Sequence, residues 1–414
     1  MERPQQTAYQ AKWVLPIHAP AIADGTVVVS GGQIEAVGPT SELLDKFPFA
    51  ELVELGESIV LPGLVNAHTH LALTDAVEDL PVGKGLLEWL KVLVPQAREF
   101  DQDTARAGIL RGLQQSRDLG TSLVGDILSH GEAVESYFEQ EEVWCRVFME
   151  FLGVREGSAH QSLERAKEHL SRLEARHSPR VTGGLSPHAP YSVWPDLWEP
   201  MAVWARERNL PWTTHLAEPP SESEFLLEGT GPILDYLNWL GAWDGTFPRL
   251  RDRGVDYLHD RDVLDDLTLL VHGVHLTPEE IEKVVINDSW VCLCPRSNQF
   301  LGLPPAPVED LYHAGANLCL GTDSKASNWD LGIWGELRSL RGIAPTVPPS
   351  ALLRMATANG AMALGFLGKL GTIHSGAEAQ LLSVPCSELG DGDPHHFLVS
   401  ESIEDRFQWL GKRP

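Results

Sequence analysis

The sequence predicts an α/β fold, a (β/α)8 (TIM) barrel joined to a small composite β-sandwich domain. Between residues 59 and 365, eight apolar runs of strand length alternate with longer amphipathic segments. Nearly continuous apolar runs are typical of strands that are buried on both faces of a parallel sheet. The flanking segments, residues 1–58 and 366–414, instead contain short β-type runs punctuated by glycine and proline.

The two ends of the chain are predicted to form the small β domain together. GTVVVSGGQIEAVG (25–38) has the composition of a strand pair, and KLGTIHSGAEAQLLSVP (369–385) and HHFLVSES (395–402) predict further short strands. If the two segments pair, the barrel of residues 59–365 is inserted between the two halves of this domain.

The barrel region contains eight runs that predict buried strands, each ending close to a polar residue. In chain order they are SIVLPGLVNAHTH, TSLVGDILSH, VWCRVFMEFLG, RVTGGLSPHAP, PWTTHLAE, LTLLVHGVHL, WVCLCPRSN and ANLCLGTDS. The intervening segment DTARAGILRGLQQSRDLG has apolar residues at helical spacing and a terminal glycine. Residues 277–280, Thr-Pro-Glu-Glu, have the pattern of a capping box, and Ser221 with Glu224 has the spacing of a second one.

Composition excludes several classes of function. The formal net charge of −26 argues against nucleic acid or an anionic membrane as a partner, because both require a basic surface. The five cysteines include no C-x-x-C pair, which argues against a disulfide framework or a zinc ribbon. The N-terminus lacks the pattern of a signal peptide and no apolar run approaches ~20 residues, so a cytoplasmic location is expected.

Histidine or aspartate ends five of the eight predicted strands. In a (β/α)8 barrel the chemistry lies at the carboxyl ends of the strands, where these side chains would meet. The residues concerned are His68 and His70, His188, His215, His272 and Asp323. A lone histidine at a strand end is more often a hydrogen-bonded interior residue. Five such ends at one mouth would be costly to bury unless an ion or a substrate satisfied them.

These strand ends carry motifs that resemble a known family. LPGLVNAHTHL, SPHAPYSV, THLAE, LVHGVHL, CPRSNQFLG and LGTDSKASN occur in the order seen in the amidohydrolase superfamily. The chain is most similar to its aminohydrolase branch, which contains cytosine, guanine, S-adenosylhomocysteine and aminofutalosine deaminases together with triazine hydrolases. The resemblance covers residues 55–365, and the ends of the chain fit the composite β domain of that family.

The resemblance implies a role for each strand-end residue. It makes one set of side chains the metal ligands, namely His68, His70, His215 and Asp323. It also makes Glu218 the catalytic proton shuttle and His272 the catalytic residue that polarises the water or stabilises the oxyanion, with Asp323 assisting. By the same analogy His188 contacts the substrate ring.

The resemblance also implies one divalent metal ion. Binuclear members of the superfamily carry a lysine near the end of strand four, and RVTGGLSPHAP contains none. Zinc is the first choice because imidazole and carboxylate ligands suit it, and ferrous iron, which suits the same ligands, is the alternative. One departure is Ala72, where many relatives have glutamate.

Three further residues are candidates for substrate binding. Trp89 lies where relatives place a pocket wall, although an aromatic residue at helical spacing is more often part of the core. Arg155 follows strand three and could pair with a carboxylate or a ribose, or could simply be solvated. Asn298 ends strand seven and faces the same mouth.

These observations predict a metal-dependent deaminase of an amino-substituted aromatic heterocycle, purine-like or nucleoside-like. The in-class alternatives are dechlorination of a triazine and hydrolysis of a cyclic amide. The alternative from another class is a catalytically inactive binding protein, which would be expected to lack metal ligands. The expected partner is a small-molecule substrate, and a homo-oligomer is suggested only by analogy with the family.

Overall fold

The computed structural model describes residues 5–411, which form two β-sheets and the helices around them. The strands of the described chain are β1 (Gln6–Val14), β2 (Ile22–Ser30), β3 (Gln33–Pro39), β4 (Glu51–Glu54), β5 (Ser58–Pro62), β6 (Leu64–Thr69), β7 (Thr121–Leu128), β8 (Trp144–Phe151), β9 (Val181–Pro187), β10 (Trp212–Leu216), β11 (Thr268–His272), β12 (Trp290–Leu293), β13 (Asn317–Leu320), β14 (Leu381–Pro385) and β15 (Gln408–Leu410).

The eight strands β6 to β13 form a parallel sheet in which each strand pairs with the next along the chain. The first and last strands meet, because the backbone N–H groups of Thr322 and Asp323 both donate to the carbonyl of His68 at 3.1 Å. The sheet therefore closes into a (β/α)8 barrel, and the predicted fold class is confirmed. Each of the eight predicted apolar runs contains one barrel strand.

Helices lie on the outside of the barrel and connect its strands. The α-helices of the described chain are α1 (Thr40–Lys46), α2 (Leu86–Arg98), α3 (Gln102–Asp118), α4 (Glu156–Glu174), α5 (Trp198–Glu207), α6 (Pro220–Glu228), α7 (Pro232–Trp239), α8 (Gly254–His259), α9 (Pro278–Ile286), α10 (Pro295–Leu301), α11 (Val308–Ala314), α12 (Ile333–Ile343), α13 (Pro349–Met355), α14 (Ala358–Ala363) and α15 (Pro394–Ser400).

The second sheet is assembled from both ends of the chain. Its strands follow the order β15-β14-β5-β1-β2-β3, and β4 also pairs with β1. The run predicted as the first barrel strand therefore forms two strands in different sheets. Residues 58–62 pair with β1 and β14, whereas residues 64–69 form the first strand of the barrel. The division of the chain into domains at 58/59 and 365/366 stays a prediction.

Two local predictions differ from the structure. HHFLVSES was predicted as a strand, but it forms α15, because Asp393 caps the helix by accepting from the His395 N–H at 3.0 Å and Pro394 suits its first turn. Ser221 does not cap a helix, since α6 already begins at Pro220. The box at residues 277–280 is confirmed at the start of α9.

All five cysteines are buried free thiols. No helix among residues 5–411 combines the length and apolar character needed to cross a membrane.

Candidate active site

A cavity of about 540 Å³ opens at the carboxyl ends of the barrel strands. Its floor contains His70, His215, His272 and Asp323, and Glu218 lies beside them. Its walls are largely apolar and come from α2, α7 and the segment after β8; they include Leu86, Leu90, Leu93, Val94, Leu152, Val154, Tyr236, Leu237 and Leu240. The shape suits a flat apolar ligand whose polar groups reach the floor.

Three imidazoles and one carboxylate converge on one point of this floor. The Nε2 atoms of His70 and His215 are 3.3 Å apart. The Oδ1 atom of Asp323 lies 3.6 Å from His68 Nε2 and 3.5 Å from His70 Nε2. The ligand atoms of His68, His70 and His215 all lie within 4.8 Å of one another. The structure thus brings together the four side chains that the resemblance named as ligands.

Hydrogen bonds fix the second ring nitrogen of His215 and the second carboxylate oxygen of Asp323. His215 Nδ1–H donates to the carbonyl of His188 at 2.9 Å, which leaves Nε2 as the atom that faces the cluster. The other oxygen of Asp323, Oδ2, accepts from the hydroxyls of Ser297 at 2.8 Å and Ser327 at 2.7 Å. Such outer contacts orient metal ligands in known sites.

The chemistry of the cluster fits a divalent metal ion. His68 is fully buried, and neither of its ring nitrogens has a hydrogen-bond partner among the described residues. Burial lowers the pKa of His70 to about 4 and that of His215 well below its usual range, so both rings are neutral and able to bind a metal. Burial opposes ionisation of Asp323, but the neighbouring imidazoles of His68, His70 and His272 hold its pKa well below the usual value.

The backbone turns sharply at three of the strand ends. Ala217, His272 and Asp323 have positive φ angles of 51°, 74° and 56°. This left-handed conformation is unfavourable for a side-chain-bearing residue and is concentrated at functional sites in proteins. The strain here falls at the ends of β10, β11 and β13, where the chain leaves the barrel around the cluster.

Glu218 and His272 lie side by side next to the cluster. Glu218 Oε1 lies 3.6 Å from His272 Nε2, and both residues are buried. Burial raises the pKa of Glu218 well above its ordinary value, which favours the protonated form of the carboxyl group. His272 Nδ1 lies 3.2 Å from Asn298 Oδ1, and an N–H donated there leaves Nε2 without a proton and directed towards Glu218.

Two further acceptors lie on the cavity wall. His188 Nδ1 is 2.6 Å from the Ser192 hydroxyl, which itself donates to the Ala189 carbonyl at 3.1 Å, so Nε2 of His188 is the unprotonated nitrogen. Glu150, at the end of β8, accepts from the Ser129 hydroxyl and has a carboxylate oxygen within 4.8 Å of a His188 ring nitrogen. Glu150 was not predicted from the sequence, because the predicted site residues were the histidines and aspartates at strand ends.

The three substrate-binding candidates occupy different positions. Trp89 lines the cavity and is fixed there, because its indole N–H donates to the Ala326 carbonyl at 2.9 Å. Arg155 also lines the cavity, but its half-exposed guanidinium donates to Gly241 O at 2.9 Å and lies 3.4 Å from Asp244. Asn298 is buried behind His272 and contacts that ring.

Comparisons with known proteins agree with this site. The Amidohydrolase family profile matches residues 59–402. A 5-methylthioadenosine/S-adenosylhomocysteine deaminase from Moorella thermoacetica is 30% identical over 384 residues, which cover 90% of this chain and 83% of the relative. An aminodeoxyfutalosine deaminase from Deinococcus radiodurans is 31% identical over 352 residues, which cover 83% and 82%.

A solved structure shows the same architecture. The crystal structure of an adenosine deaminase from Xanthomonas campestris with bound zinc matches with a TM-score of 0.80 and 25% identity, covering 98% of this chain and 91% of that one. The matched profile spans the barrel and every residue of the cluster described above. The chain therefore belongs to the Amidohydrolase family, as its motifs predicted, and is a hydrolase that acts on carbon–nitrogen bonds other than peptide bonds.

Proposed function

We propose that this protein is a single-metal aminohydrolase that removes the amino group from the aromatic ring of a nucleoside-like substrate. The observation that carries the proposal is the buried carboxyl of Glu218 beside His272, at the edge of a cluster of three imidazoles and Asp323. Deamination needs a proton donor for a poor leaving group close to an activated water, and this arrangement supplies both.

One metal ion, zinc in the first instance and ferrous iron as the alternative, would be held by His68, His70, His215 and Asp323. A bound divalent ion lowers the pKa of a coordinated water from about 15.7 to about 7, which provides a nucleophile at neutral pH. The absence of lysine from β9, residues 181–187, supports a single ion. Imidazole nitrogens and carboxylate oxygens are among the ligands that zinc takes in catalytic sites.

Glu218 performs the proton transfers on the substrate. Its carboxyl donates a proton to the ring nitrogen beside the amine-bearing carbon while the oxygen of water bonds to that carbon. His272 Nε2 and Asp323 Oδ1 are the acceptors that orient the water and take up its proton. Glu218 regains a proton from His272 Nε2, which lies 3.6 Å away, and passes it to the amine. The carbon–nitrogen bond then breaks and ammonia leaves, and the proton of the remaining hydroxyl returns to Glu218 as the ring carbonyl forms.

The cavity wall supports a nucleoside rather than a free base. Glu150 and His188 offer two acceptors side by side, which suits the two hydroxyls of a ribose. The apolar wall that includes Trp89 suits a purine ring and a bulky group beyond the sugar. The names of the relatives from Moorella thermoacetica and Deinococcus radiodurans, both deaminases, support the same class.

The test is release of ammonia by the zinc-loaded enzyme from a panel of adenine nucleosides. The panel should include adenosine, 5-methylthioadenosine, S-adenosylhomocysteine and aminodeoxyfutalosine, with adenine, guanine and cytosine as free bases. We expect turnover of at least one nucleoside and much slower turnover of the free bases.

Two rival activities are measured in the same experiment. Chloride release from a chlorotriazine, or opening of a cyclic amide, without ammonia release from any nucleoside would contradict the proposal. Bound zinc with no turnover of any compound in the panel would instead favour a catalytically inactive binding protein.

A further inference from the structure

A buried carboxylate lies directly behind the turn that carries His70. Asp126 is on β7, in register with Thr69 of β6, and its side chain is fully buried. Its Oδ1 atom accepts from the backbone N–H of Leu71 at 2.7 Å, and its Oδ2 atom accepts from the hydroxyl of Tyr137. Asp126 therefore holds the peptide group that immediately follows a metal ligand.

This carboxylate is costly for the fold. Among the described residues, Asp126 has neutral hydrogen-bond donors and no positively charged partner. A buried charge without a counter-ion opposes folding, and an apolar or amide side chain would fill the same space at lower cost. Tyr137 is also fully buried, so its hydroxyl is committed to Asp126.

The other side of the turn is held by α3. A Cβ atom on Gly108 would lie 2.3 Å from the carbonyl oxygen of Ala72, and one on Gly112 would lie 2.7 Å from Leu71 Cδ2. The two glycines let the helix backbone approach the turn much more closely than any other residue would allow. Residues 71 and 72 are thus clamped between α3 and Asp126, and the direction of the preceding His70 is fixed by both.

We propose that Asp126 and Tyr137 form a positioning pair that aims His70 at the metal ion. Tyr137 holds the carboxylate, the carboxylate holds the Leu71 N–H, and this peptide group fixes the backbone from which the His70 ring projects. The inference rests on the four-ligand metal site of the proposed function. It assigns a role in that site to two residues that do not themselves contact metal or substrate.

The test measures metal affinity rather than turnover. Zinc affinity is determined by competition with a chromogenic chelator for wild type, Asp126→Ala, Asp126→Asn and Tyr137→Phe. Loss of an outer partner of a metal ligand typically costs 10–100-fold in affinity, and we expect this loss for Asp126→Ala. Asp126→Asn should retain most of the affinity because its amide oxygen can still accept from Leu71 N–H.

A second readout and a matched control separate positioning from general stability. In the cobalt-substituted protein, Asp126→Ala should change the visible absorption bands, which report ligand geometry, whereas Asp126→Asn should not. Tyr137→Phe should weaken zinc binding by a smaller factor than Asp126→Ala does. The control is Tyr257→Phe, which also removes a buried hydroxyl hydrogen bond, to the Pro195 carbonyl, but far along the chain from the His70 turn; its zinc affinity should be unchanged.

The outcomes distinguish this inference from the proposed function. If wild type binds no zinc or iron, the metal site itself is wrong. If wild type binds zinc and Asp126→Ala binds it equally well with an unchanged cobalt spectrum, the positioning role is wrong. Should Asp126→Ala fail to fold, an unchanged affinity and spectrum in Tyr137→Phe would equally overturn the proposal.

Discussion

Three of the imidazoles that line the cavity have Nδ1 committed to a fixed partner. His215 uses Nδ1 for a backbone carbonyl, His188 uses it for Ser192, and His272 uses it for Asn298. An imidazole whose Nδ1 carries the proton presents an unprotonated Nε2, which is the form that binds a metal or accepts a proton. The protonation pattern of the site is thus set by the residues behind it.

Replacing Glu218 by glutamine should abolish most of the activity while the metal stays bound. Glutamine has nearly the same shape but cannot donate and reaccept a proton, and general acid–base groups typically contribute 10²–10⁴-fold to rate. We expect kcat to fall by a factor in that range. Ammonia release and metal content by elemental analysis measure the two effects, and a near-normal rate with full metal content would exclude the proton-transfer role.

The buried carboxyl of Glu222 should make folding stability depend on pH. Its Oε1 atom accepts from the Ala217 N–H at 2.9 Å, and burial raises its pKa to about 7 from an ordinary value of 4.5. Below pH 4.5 both folded and unfolded chains hold this proton. Between pH 4.5 and about 7 only the folded chain holds it, so stability falls as pH rises, by up to ~3 kcal/mol for this group.

Glu222→Gln removes this dependence because glutamine stays neutral. In urea unfolding of the metal-free protein, the variant should gain stability relative to wild type progressively from pH 4.5 to 8. Glu224→Gln, a change at an exposed position of the same helix, is the matched control and should give a constant difference. If the free energy of unfolding of wild type and of Glu222→Gln changed with pH in parallel, the prediction would be contradicted.

The strand-end residues could be read from the sequence, whereas their supporting residues could not. His68 and His70 are visible because an apolar run ends in two polar residues that point the same way. Asp126 and Glu150 lie within the last three residues of their barrel strands. Single carboxylates are common on protein surfaces, so neither residue stands out in the sequence as a pair of histidines does. Asn298 was expected to face the substrate, yet it lies behind His272, since α10 begins at Pro295 and turns its side chain inwards.

Among elements, the strands were predicted better than the segments that join them. A buried parallel strand leaves a continuous apolar run, but HHFLVSES has an apolar centre that fits a strand or a helix equally well. The segment forms a helix because Asp393 and Pro394 provide a helix start and because α15 packs against α12 and α13. Packing between distant segments is not visible in a local pattern.

The capping box of α9 gives a test at the scale of one element. The Thr277 hydroxyl accepts from Glu280 N–H at 3.2 Å, and Glu280 accepts in turn from Thr277 N–H at 3.0 Å. Thr277→Ala should lower the free energy of unfolding by ~1 kcal/mol, since a backbone donor at the helix start loses its partner. Thr277→Ser keeps the acceptor and should be close to wild type; equal stabilities of the alanine and serine variants in urea unfolding would show that the box contributes nothing.

At the scale of the whole molecule, barrel closure brings together the proposed ligands, which are far apart in sequence. His68 and Asp323 belong to the first and last barrel strands, and they meet because Thr322 and Asp323 donate to the carbonyl of His68. The cluster therefore forms only when the barrel is closed. A metal ion held by the four proposed ligands would in consequence bind the folded chain in strong preference to the unfolded one.

Removal of the metal should therefore lower the melting temperature of the entire chain. A ligand that binds only the folded state at 100 times its Kd contributes about 2.7 kcal/mol, and this contribution is lost on dialysis against a chelator and regained on adding zinc. His68→Ala lacks one ligand and should melt at nearly the same temperature with and without zinc. His275→Ala, which changes a histidine outside the cluster, should retain the zinc-dependent shift, and a wild-type protein whose melting temperature ignores zinc and iron alike would contradict the four-ligand site.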